Sequence, residues 1–279
     1  MITYHECFPC FLNQAIRAGH LLKIDPDILW QILRDVSHHL ATMDVTAPPP
    51  KNAVRLYEIV AHLTGESDPY RSIKKRGTQE ALELYPQLSE LIQQHSDPLF
   101  AAIRMAVGGN VMDYGVASSF DLYGELEEIL TAHFVRWEYD LFRDRLEAAD
   151  WVLYIGDNAG EAVFDRLLIE ALERPVRFAV RGGPIINDVT EKDAREAGID
   201  GVAEIVSTGL KMPGIDLSNC AKEFRELYEE APLIISKGQG NFETLTPPDR
   251  EIFFLFKVKC QVVSRFLGLP LGGLFMGTY

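Results

Sequence analysis

Two acids and an amide stand where apolar runs of the chain's second half break off, and these residue types suit divalent-cation chemistry. The run WVLYIG passes straight into Gly156, Asp157, Asn158, Ala159, Gly160 and Glu161, after which a helical pattern begins. A second run, VRFAVRG, is followed by Ile185, Ile186, Asn187, Asp188, Val189 and Thr190 before the next helical stretch. Asp157, Asn158 and Asp188 can therefore converge at neighbouring strand ends. All three offer hard oxygen donors, and a small oxygen set that leaves room for water suits Mg²⁺ or Mn²⁺ better than a soft-ligand zinc or iron site. The same residue types also form turns and cap helices, so either motif alone admits a purely structural reading. GDNAGE has the spacing of neither GxGxxG nor GxxxxGK[ST], which excludes a dinucleotide fingerprint and a P-loop.

Two further run ends carry polar groups. One closes on Ser207, Thr208 and Gly209, the other on Ser236, Lys237, Gly238, Gln239, Gly240, Asn241, Phe242 and Glu243. Lys237 follows an apolar strand and precedes a glycine-broken loop, so it is expected to face a ligand, where a cation holds a phosphoryl oxygen or neutralises developing charge. Glycines 238 and 240 allow backbone N–H groups to approach an anion.

These residues need a scaffold that brings strand ends together. After Asp150, the runs WVLYIG, VRFAVRG, VAEIVSTG and LIISKG, with a later FFLFKVKCQVVSRF, read as buried strands. Between them AVFDRLLIEALE, TEKDAREAG and CAKEFRELYEEA have helical spacing. This β-α-β-α alternation predicts a Rossmann-like α/β/α sandwich with a mainly parallel sheet, whose ligands bind beyond the carboxyl ends of the strands. From about Cys7 to Phe142 the apolar residues recur at three and four positions, and a helical bundle is expected there. The predicted division is a helical domain over 1–100 and an α/β domain over 101–279, with the boundary somewhere between 95 and 150.

Composition narrows the class. An excess of acids, 41 against 27 basic residues, gives a net charge of −14, which repels phosphate backbones and argues against a nucleic-acid partner. The first residues lack the charged and apolar regions of a signal peptide, and no run approaches the roughly 18 apolar residues of a membrane span. A cytoplasmic chain with no membrane partner and reduced thiols is expected. The pair Cys7-Phe-Pro-Cys10 is a single CxxC. A zinc or cluster site would need His5, His20, Cys220 or Cys260 to complete it through the fold, and no βαβ pattern surrounds it, so a packing role is expected.

Taken in order, CFPC, GDNAGE, INDVT, STG and SKGQGNFE resemble the metal-dependent damage-control phosphatases, a family long catalogued as a domain of unknown function, in its prokaryotic branch. The likeness spans essentially the whole chain. It implies a helical domain packed on an α/β/α domain, and a divalent metal (Mg, Mn, Co or Ni) held by Asp157, Asn158 and Asp188. It implies catalysis or substrate contact by Lys237, Asn241 and Glu243. A further family motif appears as Arg104 followed by Gly108, Gly109, Asn110 and Asp113, so that Asn110 and Asp113 are expected to reach the cleft. Glu161, Ser207, Thr208 and Gly238 complete the expected substrate contacts. The implied activity is hydrolysis of small phosphorylated metabolites, with Asp157 either attacking phosphorus or orienting water. A non-catalytic sensor of phosphometabolites and a metal-dependent carboxyl methyltransferase are the competing readings.

Overall fold

The computed structural model describes residues 1–109 and 129–279. The helices α1 (Cys7–Leu22), α2 (Pro26–Thr42), α3 (Pro49–Thr64), α4 (Arg71–Gln94) and α5 (Pro98–Gly108) come first. Proline in the first turn of α2, α3 and α5 supplies a preset φ where no N–H partner is needed, and Asp25 and Asp97 cap α2 and α5 with their carboxylates. Then follow β1 (Phe134–Trp137), α6 (Tyr139–Ala148), β2 (Val152–Ile155), α7 (Ala162–Leu172), β3 (Val176–Val180), α8 (Glu191–Glu196) and β4 (Glu204–Ser207). The chain continues through α9 (Lys222–Glu230), β5 (Leu233–Lys237), α10 (Gln239–Leu245), β6 (Phe253–Lys257), α11 (Gln261–Leu267) and β7 (Leu274–Gly277). Among the described residues no helix is long and apolar enough to cross a membrane.

The described strands form one sheet in the order β1-β7-β6-β5-β2-β3-β4, parallel except where β7 pairs with β6. Alternate residues feed opposite cores, as the two-residue period of a strand requires. Val152, Tyr154, Phe178, Leu233 and Ile235 pack under α4, α5, α6 and α7, whereas Leu153, Ile155, Ile234, Phe254 and Phe256 pack under α9, α10 and α11. A third core joins α1, α2 and α3 and extends to Ile185, beyond the end of β3. The predicted mainly parallel α/β architecture is thus observed, while α4 and α5 share their core with the sheet.

Four details of the sequence reading are corrected. β1 lies inside the stretch expected to be wholly helical, and β7 lies beyond the last run expected to be a strand. The run FFLFKVKCQVVSRF is a strand only over Phe253–Lys257; beyond Cys260, whose sulfur accepts from the Val263 N–H, it turns into α11. β4, expected to be buried, is the edge strand and exposes Glu204 and Ser207.

Candidate active site

Strand order reverses between β2 and β5: β3 and β4 extend to one side of β2, and β6 lies beyond β5. Loops leaving two such strands diverge, which opens a crevice at their carboxyl ends. Ile155 pairs with Ser236 across this point, so the GDNAGE turn and the Lys237-Gly238 turn start side by side. Their approach is close. A Cβ on Gly238 would lie 2.1 Å from Asp157 Oδ2, and Gly238 adopts φ of 80°, so glycine is required on both counts.

Backbone bonds stitch the second motif to the first. The Val189 N–H donates to the Asp157 carbonyl at 2.8 Å, the Ala159 N–H to the Asn187 carbonyl at 2.9 Å, and Asn158 forms an antiparallel bridge with Asp188. Ile186, two residues before Asp188, has φ of 43°, a strained value for a β-branched side chain. Its neighbour Ile185 is locked in the core of α1, α2 and α3, which holds the strained turn in place. Asp157, Asn158, Glu161 and Asp188 are thereby assembled from two separate motifs.

The cluster is rich in acid and shielded from solvent. Asp157, Glu161 and Asp188 are only 9%, 5% and 4% exposed. Burial, together with the neighbouring Glu161 and Asp188 carboxylates, pushes the Asp157 carboxyl up to about 8. Burial raises Asp188 as well, against the pull of Arg181. Asn158 Nδ2 bridges the acids, donating to Asp157 Oδ2 at 3.0 Å and to Glu161 Oε1 at 2.5 Å, while Glu161 Oε2 has no hydrogen-bond partner. Crowded carboxylates with an unpartnered oxygen fit a divalent cation, whose charge would relieve their repulsion. Turning the Asn158 amide over would present its oxygen to that cation in place of the two donated bonds. Among the described residues no three Asp, Glu, His or Cys side chains are gathered to hold a metal by themselves.

A layer of cations lies beneath. Arg181, 1% exposed, donates from Nε to Asp188 Oδ2 at 2.7 Å and from Nη2 to Asn241 Oδ1 at 2.9 Å, and its Nη2 is 3.9 Å from Asp157 Oδ1. Lys237 does not face an open cleft as expected. It is fully buried, with Nζ donating to Asp165 Oδ1 at 2.5 Å and to the Ala106 carbonyl at 2.8 Å, and standing 3.7 Å from Glu161 Oε2. Burial works against its charge, but Asp165 and Glu161 outweigh that and raise its pKa, so it stays an ammonium. Asp165 also accepts from the Tyr154 hydroxyl at 2.7 Å.

The remaining expected contacts divide. Asn241 is fully buried and braces the turns, its Nδ2 donating to the carbonyls of Gly156 at 3.1 Å and Lys237 at 2.7 Å. Glu243 accepts from Gln239 Nε2 at 2.7 Å; burial raises its carboxyl to about 7, and its electrostatic neighbours are Gln239 and the terminal ammonium of Met1. It is not part of the acid cluster. Thr208 is fully buried, whereas Ser207 is exposed on the edge strand. Arg104 lies against the rings of Phe100, Phe134 and Trp137 and donates to the carbonyls of Ile129 and Ala132, so it anchors chain and does not enter the cluster. Asn110 and Asp113 lie outside the described residues. Of the cysteines, Cys10 is exposed and Cys220 buried, and burial raises the half-buried Cys7 to about 11, far from a reactive thiolate.

Sequence reasoning missed Arg181, Asp165 and Lys259, the last an exposed cation whose field lowers the pKa of Asp157. The signal for two of them was present. Asp165 breaks the apolar face of AVFDRLL, and Arg181 ends a strand pointing toward the switch point.

The fold and this cluster define an α/β protein with an acid-rich centre at the topological switch point. Comparison with known proteins gives that class its family: residues 3–274 match the damage-control phosphatase ARMT1-like domain, and the chain belongs to this family. It is 34% identical to damage-control phosphatase PH1575 of Pyrococcus horikoshii over 283 residues, covering 98% of this chain and 97% of that one. A damage-control phosphatase of Archaeoglobus fulgidus is 31% identical over 274 residues, with 95% of each chain covered. The crystal structure of the Pyrococcus horikoshii DUF89 family protein superposes over 100% of both chains with a TM-score of 0.91 at 32% identity. The family supports a phosphatase role.

Proposed function

We propose that this chain is a divalent-metal-dependent phosphatase acting on small phosphorylated metabolites at the Asp157, Asn158, Asp188 centre. The observation that carries the reading is the buried acid cluster, in which Asp157 is pushed up to about 8 by burial and by its acidic neighbours, with Arg181 and Lys237 beneath it. Asp157, Asn158 and Asp188 would hold Mg²⁺, Mn²⁺, Co²⁺ or Ni²⁺, with Glu161 alongside. When bound, such a cation supplies Lewis-acid stabilisation of charge on the phosphoryl oxygens.

The chain's own groups supply the rest. Asp157 stands on a turn fixed by Asn241 and pressed by Gly238, so its carboxylate is held for attack on phosphorus or for orienting water. Lys237 and Arg181 hold two of the acids in place, Lys237 Nζ standing 3.7 Å from Glu161 Oε2 and Arg181 Nε donating to Asp188 Oδ2 at 2.7 Å.

The test strips the protein with chelator, returns each divalent ion in turn, and follows phosphate release from sugar phosphates and p-nitrophenyl phosphate. Turnover restored by metal in the wild type and absent in Asp188→Ala is the expected result. No turnover with any ion and any ester would refute the reading. Acid quenching during turnover then separates the two roles of Asp157: an aspartyl-phosphate trapped on its peptide identifies attack, and its absence identifies water orientation.

A further inference from the structure

Arg181 also lines a cavity of about 430 Å³. Its walls come from the first turn of α4 (Arg71, Lys74, Lys75), from Arg181 and Gly182 after β3, from the start of α8 and from Ser207 at the end of β4. Neither Asp157, Asn158 nor Glu161 lines it, yet Arg181 belongs to both places. Its Nε and Nη2 are spent on Asp188 and Asn241, while its Nη1 is buried without a hydrogen-bond partner. A buried guanidinium N–H with no acceptor is unfavourable, and an acceptor bound in the cavity that Arg181 lines would relieve it.

The cavity's charge is arranged to receive an anion. Each of its carboxylates is already engaged: Asp68 and Asp193 on Lys74 at 3.1 and 2.9 Å, Glu191 on Arg195 at 2.8 Å, and Glu196 on Lys192 at 3.7 Å. Arg71 and Lys75 are exposed, line the cavity, and make no ion pair among the described residues. The cap residue of α4, Tyr70, provides no side-chain bond, so the positive end of this 24-residue helix also faces the region. One acceptor completes the set: Asp68 Oδ1 is buried and has no hydrogen-bond partner, so it suits a donated hydroxyl.

We infer that this cavity is a subsite for a second anionic group on the substrate, with a hydroxyl beside it. The preferred substrates are then hydroxylated phosphate esters bearing a further phosphate or carboxylate, bridged across Arg181 from the acid centre to Arg71 and Lys75. The inference rests on the phosphatase reading for its kinetic test, but not for its binding test.

Kinetically, a hexose bisphosphate is compared with the corresponding monophosphate in the wild type and in the Arg71→Gln, Lys75→Gln double variant. The wild type is expected to favour the bisphosphate at least tenfold in kcat/KM, mainly through KM, and the double variant to bring that ratio close to one. Equal kcat/KM for the two esters in the wild type, or a ratio the double variant leaves intact, overturns the subsite. Calorimetric titration of chelator-treated protein with the bisphosphate gives a reading that needs no turnover. Binding weakened at least tenfold in the double variant supports the subsite even if no ester is hydrolysed. Binding absent, or equal in both proteins, removes it even if the protein proves to be a phosphatase.

Discussion

The GDNAGE turn and the KGQGNFE segment leave adjacent central strands at the same carboxyl end of the sheet, yet they carry opposite energetic burdens. Asp157 and Asp188 are buried acids with raised pKa values beside a Glu161 oxygen that has no hydrogen-bond partner, and they cost the fold stability in the absence of a cation. Asn241 and Lys237 are equally buried but bonded at nearly every polar atom, to carbonyls, to Asp165 and to Arg181. One segment stores strain for chemistry and the other supplies the rigidity that keeps the strain in place. A polar motif at a strand end is therefore not one kind of thing.

Removing the stored strain should separate activity from stability most sharply. Asp157→Asn is expected to lower kcat on the order of 10³-fold, by analogy with the loss of a central charged group in an active site. In chelator its melting temperature should rise at pH 9 and not at pH 3. The sign follows from linkage: an acid whose folded pKa is raised from 3.8 to about 8 contributes stability below pH 3.8 that is lost as pH climbs through 8. A variant that loses activity and melts lower at pH 9 would break the comparison.

Gly238→Ala tests the contact between the two segments. Its Cβ cannot coexist with Asp157 Oδ2 at 2.1 Å, so kcat should fall about 10²-fold, as a displacement near 1 Å does, with KM for the metal rising in step. Next in size, Asn241→Ala deletes three buried bonds and should destabilise by about 3 kcal/mol in urea unfolding, with a smaller effect on activity per folded molecule. A stability loss below about 1 kcal/mol would show that the segment is not a brace.

Glu243→Gln should have the smallest effect on turnover, within about threefold, because Glu243 is bonded to Gln239 and not to the acid cluster. Its folded pKa is raised from 4.5 to about 7, so the wild type loses stability as pH rises through that window, and the variant should be more stable than wild type at pH 8 but not at pH 4. A fall in kcat/KM of a hundredfold would instead place Glu243 against substrate.

Much of this organisation was legible in the residues. β2, β3 and β5 read as buried strands because parallel strands covered on both faces are apolar throughout, and the turns after them kept their polar residues in order. The four-residue strands β1 and β7 are too short to show a period, and VVSRF is apolar enough to pass for strand until Cys260 starts a helix. At the centre, the polar types were visible but their orientation was not. Lys237 follows an apolar run, which is as consistent with an ammonium turned inward onto Asp165 as with one facing a ligand, and only the tertiary partner decides.

Ile185 belongs to the core of α1, α2 and α3, three positions before Asp188. The helical layer is thus more than a cover: loosening around Phe11, Leu56 or Val60 reaches a proposed metal ligand through three residues of chain. In an evolving lineage, drift in that remote core would be felt as weakened catalysis before it was felt as unfolding, so durability and function should rise and fall together here instead of trading one against the other.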